Sequence, residues 1–137
     1  WAAREAVDGA APAPRTIHVA PGDRHLLVEG GAGARKLRVT QDPPENFCRP
    51  AVDPMFRSVA SSYGAAALGV ILTGMGSDGA KGAQVLVDAG GTVIAQDETT
   101  CVVWGMPGAA AQAGVCSAVL PLGDLGGWIK THVAGRG

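Results

Sequence analysis

The sequence predicts an α/β fold: a doubly wound, mostly parallel sheet with flanking helices and a β-hairpin. Three observations carry the prediction. An apolar run over 67–72 ends in a glycine-rich turn, helical spacing of apolar residues follows over 79–89, and a second short apolar run begins at Thr92 after Gly90-Gly91. Strand, helix and strand joined by tight glycine turns form a βαβ unit, which pairs its strands in parallel through a right-handed crossover.

In chain order, 17–20 is a short strand candidate ending at Pro21-Gly22. Segments 26–29 and 36–40 flank Gly30-Gly31-Ala32-Gly33, and two strands separated by a glycine cluster predict a hairpin. Residues 43–50 read as loop. Asp53-Pro54 predicts a helix start, because an Asp side chain caps free amides and Pro fits the first helical position. That helix runs to Tyr63, with Gly64 as its stop. The run 67–72 is apolar throughout, as expected of a strand buried on both faces. Residues 106–113, 118–120 and 125–133 continue the alternation, the last with Leu125, Trp128, Ile129 and His132 on one face.

Composition sets the outer bounds. A chain of 137 residues fits one domain, assigned here to residues 1–137, and supports a real core. The net charge of −1 argues against nucleic acid or an anionic membrane as partner. No stretch approaches the ~20 apolar residues of a membrane span. The first residues, Trp-Ala-Ala-Arg-Glu, lack the pattern of a signal peptide and do not start with Met, so the expected start is internal, with residues upstream. Cys48, Cys101 and Cys116 are widely spaced, without a Cys-x-x-Cys pair; they read as small buried hydrophobes, reduced in a cytoplasmic protein, rather than as zinc ligands.

The loop over 72–82 admits several readings. Gly74-x-Gly76-x-x-Gly79, with Asp97 about 20 residues on, matches a dinucleotide-binding fingerprint. Asp78 weighs against it, because a carboxylate and a pyrophosphate would compete for one cradle of backbone amides. Asp78 also reads as a helix cap, since Gly-Ala-Lys-Gly follows it at the head of a helix. In a third reading Asp78 orients a histidine in a hydrolase triad, at the carboxyl end of a strand where open α/β sheets gather their ligands.

Four blocks in order bear on the choice: Ala-Pro-Gly-Asp-Arg-His at 20–25, Arg-Pro-Ala-Val-Asp at 49–53, Gly-Val-Ile-Leu-Thr-Gly-Met-Gly-Ser-Asp-Gly-Ala at 69–80, and Cys-Val-Val-Trp-Gly-Met-Pro at 101–107. Together they resemble the catalytic domain of the bacterial chemotaxis protein-glutamate methylesterases, the CheB family. The resemblance implies a hydrolase that cleaves glutamate methyl esters on methyl-accepting chemotaxis receptors, releases methanol, and deamidates glutamine as a related activity, with no cofactor. It implies a serine, histidine and aspartate triad in that order, with Asp78 as the aspartate and the N–H of Met75, between Gly74 and Gly76, as an oxyanion donor.

The family's nucleophile sits in a Ser-x-Gly-Gly turn after its first strand and its histidine follows the second. Both are expected upstream of Trp1, as is a regulatory receiver domain. This sequence has no Gly-x-Ser-x-Gly element. Ser77 matches a variable position, Ser58, Ser61 and Ser62 fall in a helix where serines are usually solvated, and none of His18, His25 or His132 matches the triad base. The resemblance further places the two upstream strands between the strand at 17–20 and that at 67–72, so without them two half-sheets with open edges are expected, prone to self-association. A competing reading makes the chain a non-catalytic module of the same fold that binds receptor helices or sister proteins.

Overall fold

A computed structural model describes residues 1–136 of the protein. The elements are β1 (Ala2–Glu5), β2 (Thr16–Val19), β3 (His25–Glu29), β4 (Lys36–Thr40), α1 (Val52–Tyr63), β5 (Leu68–Ile71), α2 (Ala80–Asp88), β6 (Thr92–Gln96), α3 (Gly105–Gln112), β7 (Ala118–Leu120) and α4 (Leu122–Arg136). A single 3₁₀ turn, Gly64–Ala66, follows α1. Every predicted element is present, with its ends moved by a few residues at most.

The parallel strands come as a triplet and a pair. β5, β6 and β7 form the triplet in that order, Gly69 opposite Val93 and Ala95 opposite Val119. β1 and β2 form the pair, Ala3 opposite Ile17. β3 and β4 form the expected hairpin, Val28 opposite Leu37. Among the described residues no strand pairs with the outer edge of β2 or of β5.

β1 is the element with no forecast in the sequence. All four of its residues are exposed, so it carries no apolar signature. The backbone ladder to β2 holds it, and Ala6 N–H continues that ladder to the carbonyl of Val19 at 2.8 Å. Ala6 itself is buried with Leu26 and Leu37 in a small second core.

The main core lies between the triplet and its helices: Phe56 of α1, Ile71 of β5, Leu86 of α2, Val93 of β6 and Ala110 of α3. β6 is the strand covered on both faces, with Val93, Ile94 and Ala95 inaccessible to solvent. β5 corrects the sequence expectation, because Gly69 and Ile71 are buried while Leu68 and Val70 are only half-buried. Its second face borders an apolar cleft of about 510 Å³ lined by residues that include Leu26, Val28, Met55, Tyr63 and Leu68.

α1 joins the two halves. The hydroxyl of Ser58 accepts from Val28 N–H at 3.1 Å and donates to the Met55 carbonyl. That of Ser62 donates to the Gly30 carbonyl, while Arg35 donates to the Ser62 carbonyl and lies 3.9 Å from the Tyr63 ring centre. These two serines are therefore tied to the hairpin rather than solvated, because α1 packs across it.

α1 also meets α2 at short range. A Cβ at Gly82 would lie 2.8 Å from Cβ of Phe56 and 3.0 Å from the backbone of Asp53. Only a residue without a side chain lets the two helix starts approach this closely.

Candidate active site

β5 ends at Ile71 and delivers the chain into a loop clamped against the segment before α3. Thr73 supplies most of the clamp, its hydroxyl accepting from Val103 N–H at 2.8 Å and donating to the Val103 carbonyl at 3.0 Å. Its N–H donates to the side-chain oxygen of Gln96, which is itself 1 % exposed and bonded to the Thr100 carbonyl. The carbonyl of Gly74 accepts from Met106 N–H at 2.9 Å. Gly105 closes the arrangement, since a Cβ there would sit 2.8 Å from the carbonyl oxygens of both Gly74 and Gly76. Met75, held between these fixed glycines, projects an exposed side chain, and among the described residues none accepts from its N–H.

Asp78 follows three residues on and is 5 % exposed. Its Oδ2 accepts from Val52 N–H at 2.6 Å, and its Oδ1 accepts from Asp53 N–H at 3.1 Å and from the Asn46 side-chain amide at 2.8 Å. Val52 and Asp53 open α1, so Asp78 caps the neighbouring helix. Its own helix, α2, starts from Gly79, a residue at φ 101° that only glycine adopts readily.

Asp53 returns the arrangement. Its Oδ1 accepts from Gly79 N–H at 3.0 Å and Gly82 N–H at 2.7 Å, and its Oδ2 accepts from the Asn46 amide at 2.7 Å. The helix start predicted at Asp53-Pro54 is thus corrected: α1 begins at Val52, the cap position is Ala51 with no side-chain bond, and Asp53 caps α2 instead. The two helix N-termini lie side by side, so a cap across the gap reaches its amides as easily as a local one. Each such cap contributes about 1 kcal/mol, and the positive ends of two helix dipoles offset the repulsion between the acids.

This arrangement also overturns the dinucleotide reading of Gly74, Gly76, Gly79 and Asp97. The amides at the head of α2 that would cradle a pyrophosphate are filled by the Asp53 carboxylate. Asp97 turns back on its own loop, accepting from the N–H and hydroxyl of Thr100.

Asn46 is the member that sequence reasoning missed. It sits with Phe47 at the centre of a tight turn closed by paired backbone bonds between Glu45 and Cys48, and both central residues have positive φ, 53° and 63°. Two ion pairs brace the loop. Arg57 pairs with both oxygens of Glu45, and Arg49 donates twice to Asp23 Oδ1. The Arg49 guanidinium holds the Asp23 carboxyl below its ordinary value, and Arg57 does the same for Glu45 and is itself raised. The visible signal was Asn in a loop, which tolerates left-handed backbone. Its side-chain partners lie 7 and 32 residues away.

The histidines are engaged elsewhere. His25 is buried with Nε2 on the Pro43 carbonyl and Nδ1 accepting from Ala51 N–H, which fixes its tautomer. His18 accepts from Ala13 N–H, and His132 stacks on Trp128 at 5.0 Å. Ser77 is exposed, and its carbonyl bonds within the loop. Burial pushes the Cys116 thiol above its ordinary value, in keeping with a packing role. No helix among the described residues is long and apolar enough to cross a membrane.

Among the described residues the Asp78 carboxylate accepts from three donors. Oδ1 takes two donors and Oδ2 one, so Oδ2 retains an acceptor position at the carboxyl end of β5. Such a group can fix the orientation of an imidazole, and a backbone amide like that of Met75 can receive a developing oxyanion.

Comparison with known proteins agrees in sequence and in shape. The family described as CheB methylesterase matches residues 1–129. A protein-glutamate methylesterase/protein-glutamine glutaminase of Paramagnetospirillum magneticum is 59% identical over 136 residues, 99% of this chain and 36% of the relative. One from Azospirillum brasilense is 59% identical over 129 residues, 93% of this chain and 33% of the relative. The chain thus spans about a third of the curated relatives' length. The crystal structure of the Thermotoga maritima CheB methylesterase catalytic domain superposes with a TM-score of 0.86 at 41% identity, covering 89% of this chain and 65% of that one. With a family match over nearly the whole chain, relatives 59% identical and a shared fold, the chain belongs to the CheB methylesterase family.

Proposed function

We propose that this chain supplies the aspartate and oxyanion parts of a protein-glutamate methylesterase site, whose serine nucleophile and histidine base lie in the protein outside these residues. The observation that carries the reading is Asp78: buried, held by three donors, and with one acceptor position left on Oδ2. An imidazole N–H donated to Oδ2 would leave its other nitrogen as a base toward the serine hydroxyl. Serine oxygen then adds to the ester carbonyl while its proton passes to the imidazole, and the oxyanion is met by Met75 N–H. Collapse expels methanol, which takes that proton, and water releases the glutamate carboxylate from the acyl-serine. The same steps with a glutamine amide release ammonia.

The substrates in this reading are methyl-accepting chemotaxis receptors, the regulator is a receiver domain of the same protein, and the compartment is the cytoplasm. A second reading, a binding module without catalysis, draws on the exposed side chains of Phe47, Met75 and Val102. The test is methanol release from methylated receptor by the full-length protein and by residues 1–137 alone. Turnover by the full-length protein that ends on Asp78→Asn supports the proposal. Undiminished turnover in that variant refutes it, and no turnover by either protein favours the binding module.

A further inference from the structure

The role assigned to Asp78 underlies this inference. Asn46 places one side-chain nitrogen between two buried carboxylates, 2.7 Å from Asp53 Oδ2 and 2.8 Å from Asp78 Oδ1. Because both neighbours are acceptors, the amide has one satisfactory orientation, with the NH₂ inward and one hydrogen to each acid. Turning it over would set its carbonyl oxygen against two carboxylates. Asp53 accepts on its other oxygen from Gly79 and Gly82 N–H, so its own orientation is set by α2 and it in turn orients the amide.

The backbone at this place is unusual for its composition. Left-handed φ suits Asn46, but Phe47 at φ 63° is a bulky residue in a conformation that favours glycine. The chain holds this turn with two ion pairs, and its product is the placement of the Asn46 amide. Strain of this kind, held by its surroundings, is characteristic of functional sites.

We propose that Asn46 is a positioning residue for ester hydrolysis. By occupying Oδ1 of Asp78 it leaves Oδ2 as the oxygen available to the imidazole, and Asp53 keeps the amide in the orientation that does this. The effect travels through Asp78, and Asn46 itself touches neither substrate nor nucleophile.

The test uses the full-length protein and methylated receptor, with kcat, KM, the pH profile of kcat/KM and thermal stability measured on each variant. Asn46→Ala is expected to lower kcat roughly 10-fold or more with KM unchanged, the scale on which small misplacements act. Asn46→Asp keeps the shape and serves if the alanine variant folds poorly. Protonated, it can still donate one hydrogen; ionised, it donates none, so its deficit against the parent protein should widen as pH rises through its titration, which the two neighbouring carboxylates push above the ordinary carboxylate range. Asp53→Asn retains an acceptor for α2 but turns the Asn46 amide over, so kcat should fall there as well. Normal kcat in Asn46→Ala and a pH-independent ratio for Asn46→Asp would overturn the proposal. Asp78→Asn run in parallel separates the two claims: if it is inactive while the Asn46 variants are normal, the positioning role alone fails, and if it is fully active the catalytic reading fails first.

Discussion

Asp53 and Asp78 each cap the helix that the other begins. Asp78 takes the first amides of α1 at 2.6 and 3.1 Å, and Asp53 takes two amides at the head of α2 at 3.0 and 2.7 Å. The same bonds that start two helices thus hold the candidate catalytic carboxylate in place.

Those two contributions separate in Asp78→Asn. In the full-length protein the proposed role predicts that this change lowers kcat by about 10⁴-fold, the scale of the corresponding change in serine proteases. Loss of a cap alone would cost about 1 kcal/mol and leave turnover near normal. Steady-state methanol release combined with thermal unfolding distinguishes the outcomes.

Gly82→Ala probes the contact that brings the caps together. Its Cβ would overlap Phe56 and the Asp53 backbone, so the helix starts must move apart. Overpacking of this kind costs about 1–3 kcal/mol. Chemical denaturation should show that loss, and unchanged stability would mean the helices separate freely.

Phe47→Gly should act in the opposite direction. Phe47 is fully exposed and sits at positive φ in a two-residue turn, where Asn followed by Gly is the preferred pair. Removing it gives up no burial and relieves about 1–2 kcal/mol of backbone strain, partly offset by the greater freedom of glycine when unfolded. A rise in Tm of a few degrees is the expected result. A fall would show that the ring packs against something in solution.

Acid should loosen the same loop. Asp23 and Glu45 have folded values depressed by Arg49 and Arg57, so their pairing stabilises the fold above the ordinary carboxylate values and is lost as pH falls through the depressed ones. Both pairs are solvent-exposed, so the effect is local and screened by salt. Protection of the amides of residues 45–48, corrected for the intrinsic exchange rate, should fall below about pH 4 while β6 stays protected. Exchange of both together would place the loop within the main cooperative unit.

Among the described residues β2 and β5 each keep an unpaired edge, which leads to a prediction about the chain in isolation. Residues 1–137 alone should self-associate, unfold readily, or carry a further segment, because β5 offers backbone donors at its edge, Val70 is only half-buried, and Leu68 borders an open apolar cleft. Light scattering with intact mass settles this. A cooperative monomer of 13.7 kDa would contradict it.

Much of the fold was written in local pattern. The βαβ unit around 67–95 and the hairpin at 26–40 follow from runs of apolar residues and the glycines between them, because side-chain period and turn conformation are local properties. The family blocks singled out Asp78 as a candidate, and the structure buries it in the loop after β5. The strand β1 left no mark, since all its residues are exposed and only its backbone pairs. Even the helix cap at Asp53-Pro54 was half legible: a helix starts there, but the acid serves another helix. Which amides a carboxylate reaches, and that Asn46 would lie between two acids distant in sequence, depend on α1 and α2 meeting at Gly82. Hydrogen bonds act over about 3 Å of space whatever the separation along the chain, so the tertiary structure alone decided the partners of Asp78.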